Sequence, residues 1–274
     1  MNLDIAFGQY CEGNSLLHRM DPRAKIVASL LYIVVIFLAK NLFAFALLSV
    51  SSILLVALSG ISPRIVVKSM KPLAIVIGFT VIINIFWMTG DTLLFELGFI
   101  HIYAEGLLNA LMIAMRILIL LVGTSIFMTY TTTPIALTDG LEQLLAPLGK
   151  LHIPVHEFSM MMTIALRFIP TLVEETQKIM NAQKARGADF SSGSLMQRAR
   201  ALVPILVPLF ISAFRRADEL ATAMECRCYT GGEGRTRMNI LKAGPMDFVV
   251  CVLIVLLGAA VLLLGRIGGY ALSW

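Results

Sequence analysis

Charged residues are scarce in this sequence, where Asp, Glu, Lys and Arg make up 14% of 274 residues. Soluble domains contain about 25% charged residues and about 45–50% apolar residues. Apolar residues reach 58% here, and the mean hydropathy is +0.85. The shortage of charge excludes a soluble enzyme and a disordered chain, and it predicts an integral membrane protein.

Cysteine is also rare, and its spacing has no disulfide framework. The four positions are Cys11, Cys226, Cys228 and Cys251. This excludes a secreted disulfide scaffold and predicts free thiols in or beside the reducing cytoplasm. A cleavable signal peptide is not expected either, because the first apolar run ends at Lys40-Asn41 instead of a small-residue cleavage site.

Recognisable cofactor, metal and catalytic sites are missing from the sequence. Gly149-Lys150 resembles the end of a phosphate-binding loop but lacks the upstream Gly and the following Ser or Thr. Pro154 separates His152 from His156, which argues against a metal site on one helix face. No paired carboxylates and no nucleophile with a base lie within the apolar runs. We therefore expect no enzyme activity, no cofactor and no metal, and any ATP-driven work would have to come from partner proteins.

Runs without charge predict about five transmembrane helices, since a span needs roughly 17–25 residues. The runs are Ile26–Ala39, Asn41–Pro63, Pro72–Gly90, Ile117–Thr138 with a start near Gly106, and Phe248–Gly265. The first is short and reaches both interfaces only if Lys25 and Lys40 snorkel. We expect four spans in residues 1–128, a cytoplasmic region of long amphipathic helices at 129–246, and a final span in 247–274. The predicted fold class is an all-α membrane protein.

Basic residues indicate the orientation of these spans. When the N-terminus is placed inside, nearly all of the 22 Lys and Arg residues fall on the same side as residues 129–246. Positive charge marks cytoplasmic loops, so the N-terminus and the 129–246 region are predicted to be cytoplasmic. The net charge of +5 is explained in the same way, and we expect no nucleic acid partner.

Two long amphipathic helices are predicted in the cytoplasmic region, at 158–186 and 195–229. Their ends are alike: Ala182–Gly187 parallels Ala223–Cys228 at an offset of 41 residues. Each end places one arginine, Arg186 or Arg227, between small residues in the last turn. Such an arginine can form forked hydrogen bonds with a partner, or it can simply complement the helix dipole. The doubled pattern favours docking on a partner.

Five stretches of the chain resemble one family. They are Ser-Leu-Leu-His-Arg-Met-Asp-Pro-Arg-Ala-Lys (15–25), Leu-Arg-Phe-Ile-Pro-Thr-Leu (166–172), Ala-Gln-Lys-Ala-Arg-Gly-Ala-Asp (182–189), Ala-Asp-Glu-Leu-Ala-Thr-Ala-Met-Glu (217–225) and Gly-Gly-Glu-Gly-Arg-Thr (231–236). Together they resemble the transmembrane coupling subunit, or T component, of energy-coupling factor vitamin transporters. The resemblance covers nearly the whole chain and implies a multi-pass protein of a prokaryotic cell membrane.

The resemblance implies partners and two docking sites. In this family the T component joins two ABC-type ATPases to an exchangeable substrate-binding membrane subunit, the S component, and an Ala-Arg-Gly-type triplet docks on each ATPase. The triplet corresponds to Ala185, Arg186 and Gly187, and again to Cys226, Arg227 and Cys228. The second copy departs from the family pattern, because cysteines flank its arginine. Without a glycine at 228, the second helix is expected to end nearer Gly231.

The apolar faces of both helices are candidates for S-component contact, with packing inside the chain as the equal alternative. The candidate residues are Leu172, Ile179, Met180, Leu209, Ala213, Leu220 and Met224. A stand-alone secondary transporter of a small solute is the alternative function. Such a transporter uses ionisable residues at mid-membrane, and only Arg116 meets this requirement. We expect instead that Arg116 has a structural role and bonds to a partner within the protein.

Overall fold

The computed structural model describes residues 10–11, 13–87, 92–97, 100–147, 154–188, 190, 194–231, 241 and 243–266. The predicted all-α class is confirmed, with one short hairpin added. The helices are α1 (Pro22–Leu38), α2 (Leu42–Ser59), α3 (Pro63–Trp87), α4 (Ala104–Thr124), α5 (Pro134–Leu145), α6 (Val155–Ala185), α7 (Leu195–Glu225) and α8 (Pro245–Arg266). A π-helical turn, Ser125–Tyr130, continues α4.

Four segments among the described residues are long and apolar enough to cross a membrane: α2, α3, α4 with its π turn, and α8. The fifth predicted span corresponds to α1, which has 17 residues and is roughly 26 Å long. Its exposed face is apolar at Leu30, Val34 and Phe37. The extension of this span to both interfaces required both lysines to snorkel, but Lys25 is buried, whereas Lys40 is exposed.

Two predicted span boundaries are wrong. The third helix begins at Pro63 instead of Pro72. The charge-free run misses its first turns because they carry charged residues, and Pro72 is accommodated inside the helix. The fourth span ends at Tyr130 instead of Thr138. Thr131 and Thr132 close it by donating hydroxyl hydrogen bonds to the carbonyls of residues 126 and 127, and α5 then begins at Pro134.

Two aspartates join the beginnings of α1 and α8. Asp21 caps α1 by accepting a hydrogen bond from the backbone N–H of Arg23 at 2.8 Å. The carboxylate of Asp247 accepts from the backbone N–H of Asp21 at 3.0 Å and from that of Gly244 at 2.7 Å. A carboxylate near the start of a helix also interacts favourably with the helix dipole. Together these contacts hold the beginnings of α1 and α8 at one end of the bundle.

The core of this bundle is formed by large side chains from α1, α2 and the end of α4. Tyr32, Phe45, Phe127 and Tyr130 are fully buried, and the rings of Tyr32 and Phe127 meet edge to face. Gly123 is required where α4 passes α1, because a Cβ there would overlap the ring of Tyr32. The bundle is therefore closely packed around α1 in spite of that helix's short length.

A two-stranded antiparallel hairpin lies between α3 and α4, formed by β1 (Leu93–Leu97) and β2 (Ile100–Tyr103). The predicted all-α class contains no strands here. At the base of the hairpin the hydroxyl of Thr92 donates to the carboxylate of Glu105, in the first turn of α4, at 2.7 Å. The segment is too short to change the fold class.

The described residues divide into two compact units, one within Met1–Leu144 and Ile240–Trp274, the other within Leu145–Asn239. Residues 129–144, which the sequence groups with the coupling region, belong to the first unit, where Gly140 lies against Pro22. The second unit consists of α6 and α7, with 31 residues each, or roughly 46 Å of helix. Arg216 of α7 pairs with Glu175 of α6 at 3.3 Å.

Candidate functional site: the ends of α6 and α7

The end of α6 is closed by a glycine in the left-handed conformation. Gly187 has φ 86°, and its N–H donates to the carbonyl of Lys184 at 2.9 Å. The N–H of Ala188 donates to the carbonyl of Gln183 at 3.0 Å. These two bonds are the Schellman pattern, which satisfies carbonyls that the helix leaves without partners. Arg186 is the residue between the helix and this glycine.

The end of α7 has the same pattern 41 residues later. Cys228 has φ 55°, the only positive φ among the described non-glycine residues. Its N–H donates to the carbonyl of Glu225 at 2.8 Å, and the N–H of Tyr229 donates to the carbonyl of Met224 at 3.1 Å. The expectation that this helix ends nearer Gly231 is therefore wrong. A cysteine takes the left-handed position of the glycine, at a cost of about 1–2 kcal/mol.

The two arginines occupy equivalent places at these ends. Arg186 and Arg227 are both exposed, and neither forms an ion pair or hydrogen bond through its guanidinium with any residue that the structure describes. A guanidinium carries five N–H donors in a planar fork. Ala185 and Cys226, which precede them, are exposed as well. Each helix end therefore presents an exposed guanidinium beside small residues.

The seven predicted S-component residues are all half-buried. Three of them, Leu172, Leu209 and Ala213, line an open groove of about 480 Å³. The other lining residues are Leu206, Val207, Phe210 and Ile211. The helical periodicity identifies the half-buried apolar face of α7 and misses an exposed apolar face on the same helix. On this exposed face Phe210 and Phe214 are 66% and 62% exposed. Their i, i+4 spacing, with rings 4.7 Å apart, is the sequence signal that could have found this surface.

Arg116 contacts the end of α1. Its Nη2 donates to the carbonyl of Ala39 at 2.9 Å, and its guanidinium lies 5.8 Å and 5.4 Å from the ring centres of Phe37 and Phe45. The side chain is 8% exposed. A carbonyl at a helix end has no partner within its own helix, so this arginine has the structural partner that the sequence leads us to expect.

The remaining sequence candidates add no further site. Gly149-Lys150 and His152 lie outside the described residues. Across the residues that the structure describes, no three His, Cys, Asp or Glu side chains are grouped so that they could hold a metal ion. The four cysteines all lie within the described residues and form no disulfide with one another, and Cys226 and Cys228 are exposed.

Comparison with known proteins assigns the class. A family model described as CbiQ, cobalt transport protein, matches residues 13–238. The chain is 52% identical over 247 residues to the energy-coupling factor transporter transmembrane protein EcfT of Ruminiclostridium cellulolyticum, covering 90% of this chain and 92% of the relative. It is 46% identical over 255 residues to the protein of the same name from Bacillus subtilis, covering 93% and 96%.

This chain therefore belongs to the family of transmembrane components of energy-coupling factor transporters. The resemblance read from the five sequence stretches is confirmed. Its relatives are named as transmembrane proteins of energy-coupling factor transporters, which favours this class over the alternative of a stand-alone secondary transporter.

Proposed function

We propose that this protein couples two ABC-type ATPases to an exchangeable S component and passes ATP-driven motion between them. The substrate class is a vitamin or another micronutrient, and the ATP is hydrolysed by the partner ATPases. One observation carries the proposal: α6 and α7 end in the same backbone motif, 41 residues apart, and each end presents an exposed arginine.

Two equivalent ends fit two equivalent grooves, one on each ATPase. Ala185, Arg186 and Gly187 dock on one ATPase, and Cys226, Arg227 and Cys228 dock on the other. The left-handed residue turns the chain away directly after the arginine, so the side chain stands at the tip of the helix. A hydrogen bond to a charged group contributes about 1.5–3 kcal/mol. Two such contacts are enough to make assembly depend on these tips.

Motion reaches the S component through the two long helices. Closure of the ATPases on ATP moves the two docked ends relative to each other. α6 and α7 are joined by the pair Arg216–Glu175 and by apolar packing around Ile205, which is buried. The displacement then reaches the groove beside Phe210, where the S component rests and is tilted or released. The membrane bundle anchors the assembly in the cell membrane, with the N-terminus and both coupling helices on the cytoplasmic side.

Charge reversal at both tips tests the docking step. In the double variant Arg186→Glu, Arg227→Glu, we expect the ATPases to be lost when the tagged protein is purified from membranes. Two lost contacts of about 1.5–3 kcal/mol each correspond to at least a hundredfold weaker assembly. Replacement of both arginines by alanine should weaken assembly less, because no repulsion is added.

The matched control is the double variant Lys178→Glu, Arg215→Glu, which reverses two exposed charges on the same helices away from their tips. It should retain both ATPases and substrate uptake. If the tip variant keeps both ATPases bound and uptake intact, the docking proposal is wrong.

A further inference from the structure

Three cations lie on one face at the beginning of α3. Arg64, Lys68 and Lys71 are spaced by four and three residues, which places them on the same side of a helix. All three are exposed, and none forms an ion pair or a side-chain hydrogen bond with a residue that the structure describes. Residues 22–90 contain no Asp or Glu. The charge of this face is therefore not neutralised by its own segment of the chain.

An apolar groove continues from these cations along α3. It has a volume of about 730 Å³, and the three cations line it together with apolar residues of α3 and Leu118 of α4. Along α3 the lining passes from Arg64 through Lys71 to Ala74 and Ile77. At 1.5 Å per residue, the part from Arg64 to Lys71 and the part from Lys71 to Ile77 are each roughly 10 Å long. The groove is thus apolar along its length, with three exposed cations beside its first part at the beginning of a membrane-spanning helix.

The depth of the cations fits the headgroup layer. Tyr130 at the end of the fourth span donates to Ser69 at 2.6 Å, so the beginning of α3 lies beside the end of α4. This is the end of the bundle at which Lys25 bonds to Thr131 and at which the sequence predicts the cytoplasm. Clusters of Lys and Arg at that surface attract anionic lipids. Farther along α3, Ile75 and Phe79 are 79% and 65% exposed and continue the apolar surface.

From this arrangement we infer that the groove at the start of α3 binds one acidic phospholipid. Arg64, Lys68 and Lys71 hold the phosphate, for which the arginine offers a bidentate fork, and an acyl chain lies along Ala74, Ile77 and Leu118. A phospholipid carries its charge in the headgroup and its apolar surface in the acyl chains. This order matches the groove, where the cations lie at the beginning of α3 and only apolar residues line the part farther along the helix. An acidic protein segment would match the cations but would leave the apolar half uncovered.

Lipid retention by the full-length chain tests the inference. The chain is purified in detergent, given phosphatidylglycerol or phosphatidylcholine with identical acyl chains, and weighed with its bound lipid by native mass spectrometry. We expect tighter binding of phosphatidylglycerol, by about fivefold for each cation and roughly a hundredfold if the three act additively. In the triple variant Arg64→Gln, Lys68→Gln, Lys71→Gln this preference should fall to nearly one.

Two matched variants separate the site from overall charge. The variant Lys178→Gln, Lys184→Gln, Arg215→Gln removes the same charge from exposed positions of α6 and α7 and should keep the preference. The variant Arg64→Lys, Lys68→Arg, Lys71→Arg keeps the charge of the groove and should keep the preference too. A phosphatidylglycerol with a photoreactive acyl chain should label α3 near Ala74 and Ile77 in the original protein and lose that label in the triple Gln variant.

Several outcomes would overturn the inference. It is wrong if the triple Gln variant retains the preference for phosphatidylglycerol, or if the control on α6 and α7 loses it to the same extent. It is also wrong if the triple Gln variant keeps its lipid but loses a protein subunit from the purified complex, since the face then belongs to an acidic protein partner.

Discussion

Position 228 illustrates how a cysteine replaces a glycine at a helix end. Its counterpart on α6 is Gly187, and both residues have positive φ and donate the same hydrogen bond. The sequence places the end of α7 nearer Gly231 because glycine adopts this conformation without a steric cost. The structure differs because two backbone hydrogen bonds at residues 228 and 229 close the helix and offset the strain of one side chain.

A substitution at this position has a defined expected effect. In Cys228→Gly we expect the folded end of α7 to become more stable by about 1 kcal/mol, because glycine adopts the left-handed backbone conformation without steric strain. Hydrogen exchange of the full chain should then show roughly fivefold slower exchange at the amides of Cys228 and Tyr229. The mirror variant Gly187→Ala should speed exchange at the amides of residues 187 and 188 by a similar factor. Equal rates in Cys228→Gly and the original protein would contradict a strained end.

Two buried cations have backbone partners that the sequence does not reveal. Lys25 is 2% exposed and donates to the carbonyl of Thr131 at 2.7 Å, while Arg116 donates to the carbonyl of Ala39. Both acceptors lie directly after a helix, where carbonyls lack a partner within their helix. Burying an unpaired charge is costly, so these carbonyls explain how the bundle accommodates the cations. Nothing local in the sequence identifies either acceptor.

At the scale of the element, α7 shows the difference between a packed and an exposed apolar face. Leu209 and Ala213 follow the helical stripe and are half-buried beside α6, whereas Phe210 and Phe214 are exposed. Periodicity predicts which residues share a face, but not which of two apolar faces is covered by the neighbouring helix. An exposed aromatic pair is typical of a surface that binds a partner.

Polar substitutions on this exposed face should separate the two sets of partners. In Phe210→Ser, Phe214→Ser we expect the S component to be lost from the purified complex, by tenfold or more, because two aromatic anchors are removed. Both ATPases should remain, since the tips of α6 and α7 are unchanged. The control Phe158→Ser, Met161→Ser removes exposed apolar side chains from the beginning of α6. If the S component is retained in the Phe210 and Phe214 variant, it binds elsewhere.

At the scale of the whole molecule, the chain combines an apolar bundle with a pair of long amphipathic helices. The long-range contacts inside the bundle close it end to end: Asp21 bonds to Asp247, and Asn41 bonds to the carbonyl of Leu264. Among the described residues of the helix pair, Arg216 pairs with Glu175, and Gln183 of α6 donates a hydrogen bond to the carbonyl of Pro204 in α7. Each of the two units therefore has its own internal packing.

The native cysteines give a test of orientation without any substitution. Cys226 and Cys228 are exposed, while Cys11 and Cys251 are half-buried. A maleimide that cannot cross membranes should leave Cys226 and Cys228 unlabelled in intact cells. The same reagent should label both thiols in inverted membrane vesicles. Bound ATPases should protect both thiols, so stripping the ATPases from the vesicles should raise the labelling. Labelling of these two thiols in intact cells would reverse the proposed topology.

The sequence alone determined the class of this protein and its two arginine-tipped helices. Hydropathy, helical periodicity and the repeat at 41 residues are local properties, so they can be recognised before any contact is known. The tertiary structure decided which lysine is buried and which apolar face of α7 is covered. Both depend on residues far apart in the chain, such as Lys25 and Thr131, whose proximity arises only when the helices pack.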